Sequence, residues 1–576
     1  EQKDSLAEFS ASFKHQATQR KPLQLNPTRW LHPSVSWASD DPNDQPQSAA
    51  HRRTATMELP KAAQDTTTSV PYPNATANRS NPSLQDALDM GRLNIRQETK
   101  RRFKLVTLLG LTTSMMCTWE SAIPFFVTSY VNGGGPTMLY GFIFAFIGAL
   151  ATCASLAELA SMYPIAGGQY HWVALLAPER YKKALSWLTG WVSTLGWQAA
   201  ASTGIYLGGT VIQVLVSLNQ ESYEPKPWQA TMIMIAIMLT TVFVNTTLIR
   251  LLPGLIGTVL LLHVVGFFAV LIPMVHLAPI SSSEFVWKEF TNLSGYASGG
   301  VSWLIGQAGS AVLFIGYDGA CHLAEEVEDA AINVPRAMFF TIFINGALGF
   351  ATYIMILYCL GDPLAALNTI SGEPFIEIFN NALRSKAGTT ALTAVLISLY
   401  IFATFGFVAS ASRQAWAFAR SGGLPYSHIF RQVNTSLSIP IHTILLTGTI
   451  GLLLSLINIG SSIAFNAVIS LTTASYLSSY IIVIVLMIHK RLTTPDKLVF
   501  GPWKLGRWGL PINIFAAAYS VVTVVFSFFP PQVPIKTSSM NWSCAVYGGV
   551  LILGVVYYVV KGHRQFEQPL ESNVVG

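Results

Sequence analysis

The sequence predicts an all-α integral membrane protein of about twelve transmembrane helices. Three observations carry that reading: 51% of the 576 residues are apolar, only 11% are charged, and long stretches lack any Lys or Arg. A soluble domain carries about 25% charged residues, so the shortfall leaves too little polar surface to keep a chain of this length dissolved. Buried strands of soluble α/β proteins run to about 4–8 residues, whereas a hydrocarbon core needs about 20.

Residues 1 to about 90 are rich in Ser, Thr, Gln, Asn, Asp and Pro without sustained periodicity. Such a segment cannot bury enough apolar surface to offset its ordering entropy, so a disordered tail without a signal-peptide-like run is expected. Met57 is the first methionine, and two readings of residues 1–56 stay open, a gene-model extension and a trimmed chain. The spans follow at 105–127, 137–160, 184–217, 228–249, 254–276, 300–326, 337–360, 388–412, 441–459, 466–488, 509–529 and 541–560. The third is long enough to cross steeply tilted, at ~1.5 Å per residue. A permease-sized membrane domain over residues 91–562 and a short C-terminal tail over 563–576 complete the expected division.

Basic residues set the expected orientation. With the N-terminus inside, the inner loops from Arg92 onward hold 21 Lys and Arg, and the outer loops hold 5, namely Lys226, Lys288, Arg384, Lys386 and Lys536. That asymmetry matches the retention of basic loops in the cytoplasm and places both termini there. The formal charge of +6 is spread over these loops rather than gathered in one stripe, so nucleic acid is not an expected partner. Five cysteines lie in or beside apolar segments without the paired spacing of a zinc or redox motif. No metal and no cofactor is expected. Sequons at Asn292 and Asn541 fall outside, and those at Asn74, Asn78 and Asn434 fall inside, where they would go unused.

A carboxylate in a bilayer costs at least ~2.5–3.5 kcal/mol on insertion scales, so each one asks for a reason. Five lie within or at the ends of spans: Glu120, Glu158, Asp318, Glu325 and Glu326. The last two begin an acidic run continued by Glu328 and Asp329, which reads either as a solvated or salt-bridged helix end or as functional. Asp318 lies deeper, in Phe314-Ile315-Gly316-Tyr317-Asp318-Gly319. Two glycines weaken a helix there by about 1 kcal/mol each. One reading is a small-residue packing contact; the other is a discontinuous helix at a substrate site. The first span carries a matching disturbance, with Thr112-Thr113-Ser114-Met115-Met116-Cys117-Thr118-Trp119-Glu120-Ser121 at mid-depth and Pro124 beyond. Spans one and six are equivalent if the first ten form two inverted five-helix repeats, and paired interruptions are the sequence sign of a transporter's binding site. His263 stands mid-depth in the fifth span. It reads either as a neutral imidazole donating to a backbone carbonyl or as a proton-coupling group.

Residues 156–172, with Glu158, Tyr163-Pro164 and Gly167-Gly168-Gln169 among them, resemble the second-helix exit and loop of the fungal amino acid/choline transporter family. Gly316-Tyr317-Asp318-Gly319 through Glu325-Glu326, Asn333-Val334-Pro335-Arg336, and Ser412-Arg413 with Gly422-Gly423-Leu424-Pro425 are similar to further segments of it. This family includes GABA and choline permeases and belongs to the amino acid–polyamine–organocation superfamily. The resemblance spans roughly residues 85–565 and implies a five-plus-five inverted-repeat core with broken helices 1 and 6, plus helices 11 and 12. It also implies uptake driven by an ion gradient, with the proton as the usual coupling ion.

On that resemblance a substrate would meet Ser114, Met115, Cys117, Thr118, Trp119 and Glu120 of the first span and Phe314, Gly316, Tyr317 and Asp318 of the sixth. His263, Glu120 and Asp318 are the expected ion-coupling residues. The first break lacks the usual glycine cluster, and Glu120 beside it would repel an anion, which tilts the expectation toward an amine or choline-like substrate. The expected function is therefore secondary active uptake of a small amino acid, GABA or choline-like amine across the plasma membrane. An exporter or organellar permease of a specialised metabolite, or a nutrient receptor that has lost transport, are the alternatives. An enzyme is not expected, since no nucleotide loop, metal cluster or nucleophile–base motif occurs.

Overall fold

The computed structural model describes residues 82–567 except 94, 96, 370–372, 461 and 537–539. Residues 1–81 of the expected disordered tail, with Met57, Asn74 and Asn78, and the residues from 568 lie outside the described residues; the rest of that tail, 82–90, is not disordered but forms most of the helix Pro82–Arg92.

Among the described residues the elements are helices, with isolated bridges in place of strands. The first predicted span is two helices, α1 (Leu105–Met116) and α2 (Thr118–Val131), separated by Cys117 at φ 48°. Then come α3 (Gly134–Met162), α4 (Glu179–Asn219), α5 (Pro227–Thr246) and α6 (Leu252–Leu277). The sixth span is interrupted after α7 (Gly299–Ala311), and the chain continues as α8 (Ala330–Cys359), α9 (Lys386–Arg420) and α10 (Ile441–Gly460). The last helices are α11 (Ser462–Thr493), α12 (Gly509–Ser527) and α13 (Ser543–Tyr557). Eleven helices among the described residues are long and apolar enough to cross a membrane. They are the second to twelfth predicted spans; the first misses that length because Cys117 divides it.

Helix α3 lies along α8, α4 along α9, α5 along α10, and α2 against α7, so each of these spans packs on the one five later. α12 covers α11 and α3, and α13 stands at the edge. Leu261, Val265, Phe268 and Ile272 of α6 are between 48% and 64% exposed, an apolar face that soluble monomers avoid and lipid covers.

Several charged groups at the basic-loop face are buried and paired. The Arg420 guanidinium grips Glu325 at 2.6 and 3.0 Å, and Arg413 Nε donates to Glu326 at 2.8 Å, with both carboxylates 1% exposed. Of the two readings open for the acidic run, Glu325 and Glu326 follow the salt-bridged one. Glu158 is held by Arg491 and by the Leu505 amide. The segment entering α1 closes beneath this network. Helix Pro82–Arg92 brings up Asp86, whose carboxylate accepts from the Asp329 and Ala330 amides at 2.9 and 3.1 Å and so satisfies the open end of α8. Gln97 and Thr99 donate to the Glu325 carbonyl, and the Arg102 and Phe103 amides donate to that of Glu326. Burial and the neighbouring carboxylates of Asp86 and Glu328 push the Asp329 carboxyl above its ordinary range, with Arg101 opposing.

Candidate functional site: two helix breaks and two buried carboxylates

The two interruptions meet. Thr118, the first residue of α2, donates its hydroxyl to the Leu313 carbonyl at 2.7 Å, just where α7 gives way to a 3-10 turn. Beyond that turn Gly316 takes φ 98°, which an L side chain rarely adopts, so the chain can leave helix there only with glycine. Among the described residues, the amides of Gly316, Tyr317 and Asp318 find no backbone carbonyl. Helix resumes at Gly319, where a Cβ would lie 2.2 Å from Met115 Cε and 2.9 Å from both Ser410 Oγ and Trp197.

Each break carries one enclosed carboxylate. Glu120, in the first turn of α2, sits where the helix dipole favours a negative charge. Its Oε1 lies 2.7 Å from His263 Nδ1 of α6, and both side chains are fully buried. Among the described residues, Glu120 Oε2 and His263 Nε2 have no hydrogen-bond partner. Trp119 packs on His263 and Phe267 at ring distances of 6.0 and 5.7 Å, and Tyr400 donates to the Glu120 carbonyl at 2.8 Å.

Asp318 Oδ2 accepts from Gln169 Nε2 at 2.7 Å and lies 3.6 Å from His322 Nε2. His322 Nδ1 is 2.8 Å from the Ala166 carbonyl, so it donates there and leaves Nε2 facing the carboxylate. Around this pair stand Trp197, Tyr476, Tyr480 and Tyr317, with ring distances of 5.2 Å from Trp197 to His322, 5.1 Å from Trp197 to Tyr476 and 5.7 Å from Tyr317 to Tyr480. Among the described residues, Asp318 Oδ1, Gln169 Oε1 and the hydroxyls of Tyr317 and Tyr476 are buried without a hydrogen-bond partner, and the Tyr480 hydroxyl faces the Asp318 carboxylate. So many open polar atoms in one low-dielectric place are costly unless something polar satisfies them.

The expected site residues separate into groups. Thr118, Glu120, Gly316, Tyr317 and Asp318 lie at the two breaks, and His263 joins Glu120. Cys117 is the hinge itself, and its amide remains bonded to the Thr113 carbonyl. Ser114 turns its hydroxyl back to the Gly110 carbonyl, and Met115 packs on Gly319 and Ser410. Trp119 faces α6, and Phe314 packs against Phe142 and Phe146 of α3. Gln169, His322, Trp197, Tyr476 and Tyr480 were not among the expected residues. His322 had a usable signal, since it follows Asp318 by four and thus shares its helix face. The tyrosines of α11 had none, because only packing brings that helix to the sixth span.

Comparison with known proteins agrees with this architecture. The family model of amino acid permeases matches residues 103–550. A Macrophomina phaseolina protein named for amino acid/polyamine transport is 30% identical over 443 residues, covering 76% of this chain and 97% of that protein. The choline transporter of Saccharomyces cerevisiae is 29% identical over 479 residues, 82% of this chain and 84% of its own. Amino-acid permease 2 of Neurospora crassa is 26% identical over 474 residues, 81% of this chain and 84% of its own.

Proposed function

This chain belongs to the amino acid permease family, and on that premise we propose that it is a proton-coupled importer of a small amine, of which a choline-like cation fits better than an amino acid. It is an integral membrane permease; substrate, coupling ion, direction and membrane are the parts proposed. The observation that carries the substrate is the polar cage at Asp318, an enclosed carboxylate with an open oxygen among Tyr317, Tyr476, Tyr480 and Trp197. A carboxylate supplies the counter-charge for an ammonium group, and aromatic faces attract a quaternary one. A substrate carboxylate finds less: the first turn of α2 already holds Glu120.

Proton coupling rests on Glu120 and His263. A carboxylate–imidazole pair 2.7 Å apart holds one exchangeable proton and is neutral overall when loaded. Losing that proton leaves a buried negative charge, which a bilayer interior disfavours. A carrier with such a pair reorients in the protonated form, so proton flow and substrate flow are tied. Packing of each of the first four spans on the one five later supports a two-repeat core that rocks about the breaks. The basic-loop asymmetry supports cytoplasmic termini, and plasma-membrane residence is part of the proposal. Residues 91–562 form the proposed permease domain, with tails on either side.

The test is uptake of radiolabelled choline, GABA and an amino acid panel in permease-deficient yeast, with and without a protonophore. Accumulation of one compound that the protonophore abolishes is expected. No uptake by protein verified at the surface would overturn import and favour export or sensing; retention inside the cell would favour an organelle.

A further inference from the structure

At the basic-loop face, away from both breaks, the end of α9, the turn after it and the segment following α13 form a cavity of about 610 Å³. Arg420, Arg431, Lys561 and Arg564 line it with His428, and Glu567 is the one carboxylate among the described residues of its wall. A chain with only 35 Lys and Arg in 576 residues places four of them here. Like charges so gathered repel unless an anion lies among them. Arg420 is engaged by Glu325, while Arg431, Lys561 and Arg564 enter no ion pair among the described residues.

The wall is fixed by packing. Phe566 is buried against Trp187 and Phe418, with ring distances of 5.3 and 5.9 Å, and the Glu567 amide donates to the Ser421 carbonyl at 3.0 Å. Gly422 takes φ 75° and lets the Gln565 carbonyl pass where a Cβ would stand 2.4 Å away. Depth in the membrane is set by the same helix end. Val559 and Val560 are 65% and 70% exposed, an apolar pair that needs lipid, and Lys561 follows at once. Tyr557 and Tyr558 sit at that level, as aromatic side chains do at an interface. The cavity is therefore at the height of lipid headgroups and open beside them.

We infer that this cavity binds a multiply charged phosphate group, of the kind borne by a phosphorylated lipid headgroup. Basic pockets between helix ends on a cytoplasmic face bind such headgroups, and Arg presents paired donors to phosphate oxygens. Since Arg420 touches both the cavity and Glu325, an occupied cavity adjoins the ion pairs that close the sixth span. Binding itself does not depend on what the protein transports.

The experiment uses the purified full chain in phosphatidylcholine nanodiscs, with and without phosphatidylinositol bisphosphate, and soluble inositol trisphosphate as a separate arm. Saturable binding of the lipid, read by thermal stabilisation and competed by the soluble compound, is expected. It weakens by about fivefold for each basic residue removed in Lys561→Gln and Arg564→Gln. Equal binding of inositol trisphosphate with no gain from the lipid would keep the phosphate site and assign its source to solution. Absence of saturable binding in both arms overturns the inference, as does undiminished binding by the double variant. Both positions are exposed, so neither change removes a core contact.

Discussion

The two helix breaks hold the same pair of residue types and use them differently. At the first, Glu120 meets His263 from a helix 143 positions away, at 2.7 Å, with Trp119 and Phe267 closing over them. At the second, Asp318 and His322 are four apart on one short stretch, and 3.6 Å is too long for a good hydrogen bond. Their partners lie elsewhere, Gln169 for the acid and the Ala166 carbonyl for the imidazole. The first pair is thus tight and has apolar neighbours, which suits a proton that must not leak. The second is spread among open hydroxyls, which suits a ligand with its own polar groups. What distinguishes them is which other elements arrive, since residue type and burial are alike.

That contrast can be broken most directly at Asp318. Asp318→Asn keeps the shape and removes the charge, so uptake should fall about 100-fold or more while surface expression persists, the usual cost of losing a buried charged contact. Near-normal uptake in the variant would take Asp318 out of the substrate site and erase the contrast. The next largest effect is expected at the other pair. His263→Ala should retain exchange of substrate across the membrane but lose pH-dependent accumulation, and Glu120→Gln should do the same. Unchanged pH dependence in both would return His263 to a packing role.

Gly316→Ala tests whether the second break must be sharp. Its φ of 98° makes any side chain strained, at roughly 1–3 kcal/mol, so turnover and thermal stability should fall together. A variant as stable as the parent would mean the break relaxes freely. The smallest effect is expected for Tyr480→Phe, which removes one hydroxyl and keeps the ring. It should raise KM by a few-fold, in line with one neutral hydrogen bond of about 1 kcal/mol, and leave the pH profile in place. A moved pH profile would merge the two pairs into one coupled site.

Much of this was legible in residue order. A shortage of charge and a succession of apolar runs specified helices in lipid, and the spacing of Gly316 and Gly319 marked the sixth span as interrupted. Cys117 carried a weaker mark: it is a non-glycine residue at φ 48°, and only the cluster of polar neighbours pointed to it. Glu120, Asp318 and His263 announced themselves because an ionisable group at mid-depth is costly wherever it points.

What the sequence could determine by itself was the cost of each buried charge, because desolvation depends on depth along one helix. What offsets that cost was decided only by the tertiary structure. That Glu120 rather than a carbonyl answers His263, that Arg413 and Arg420 answer Glu326 and Glu325, and that Tyr480 is brought to Asp318 are matters of helix against helix. These partners are far apart in the chain, and periodicity along one helix holds no record of which face of another it will meet.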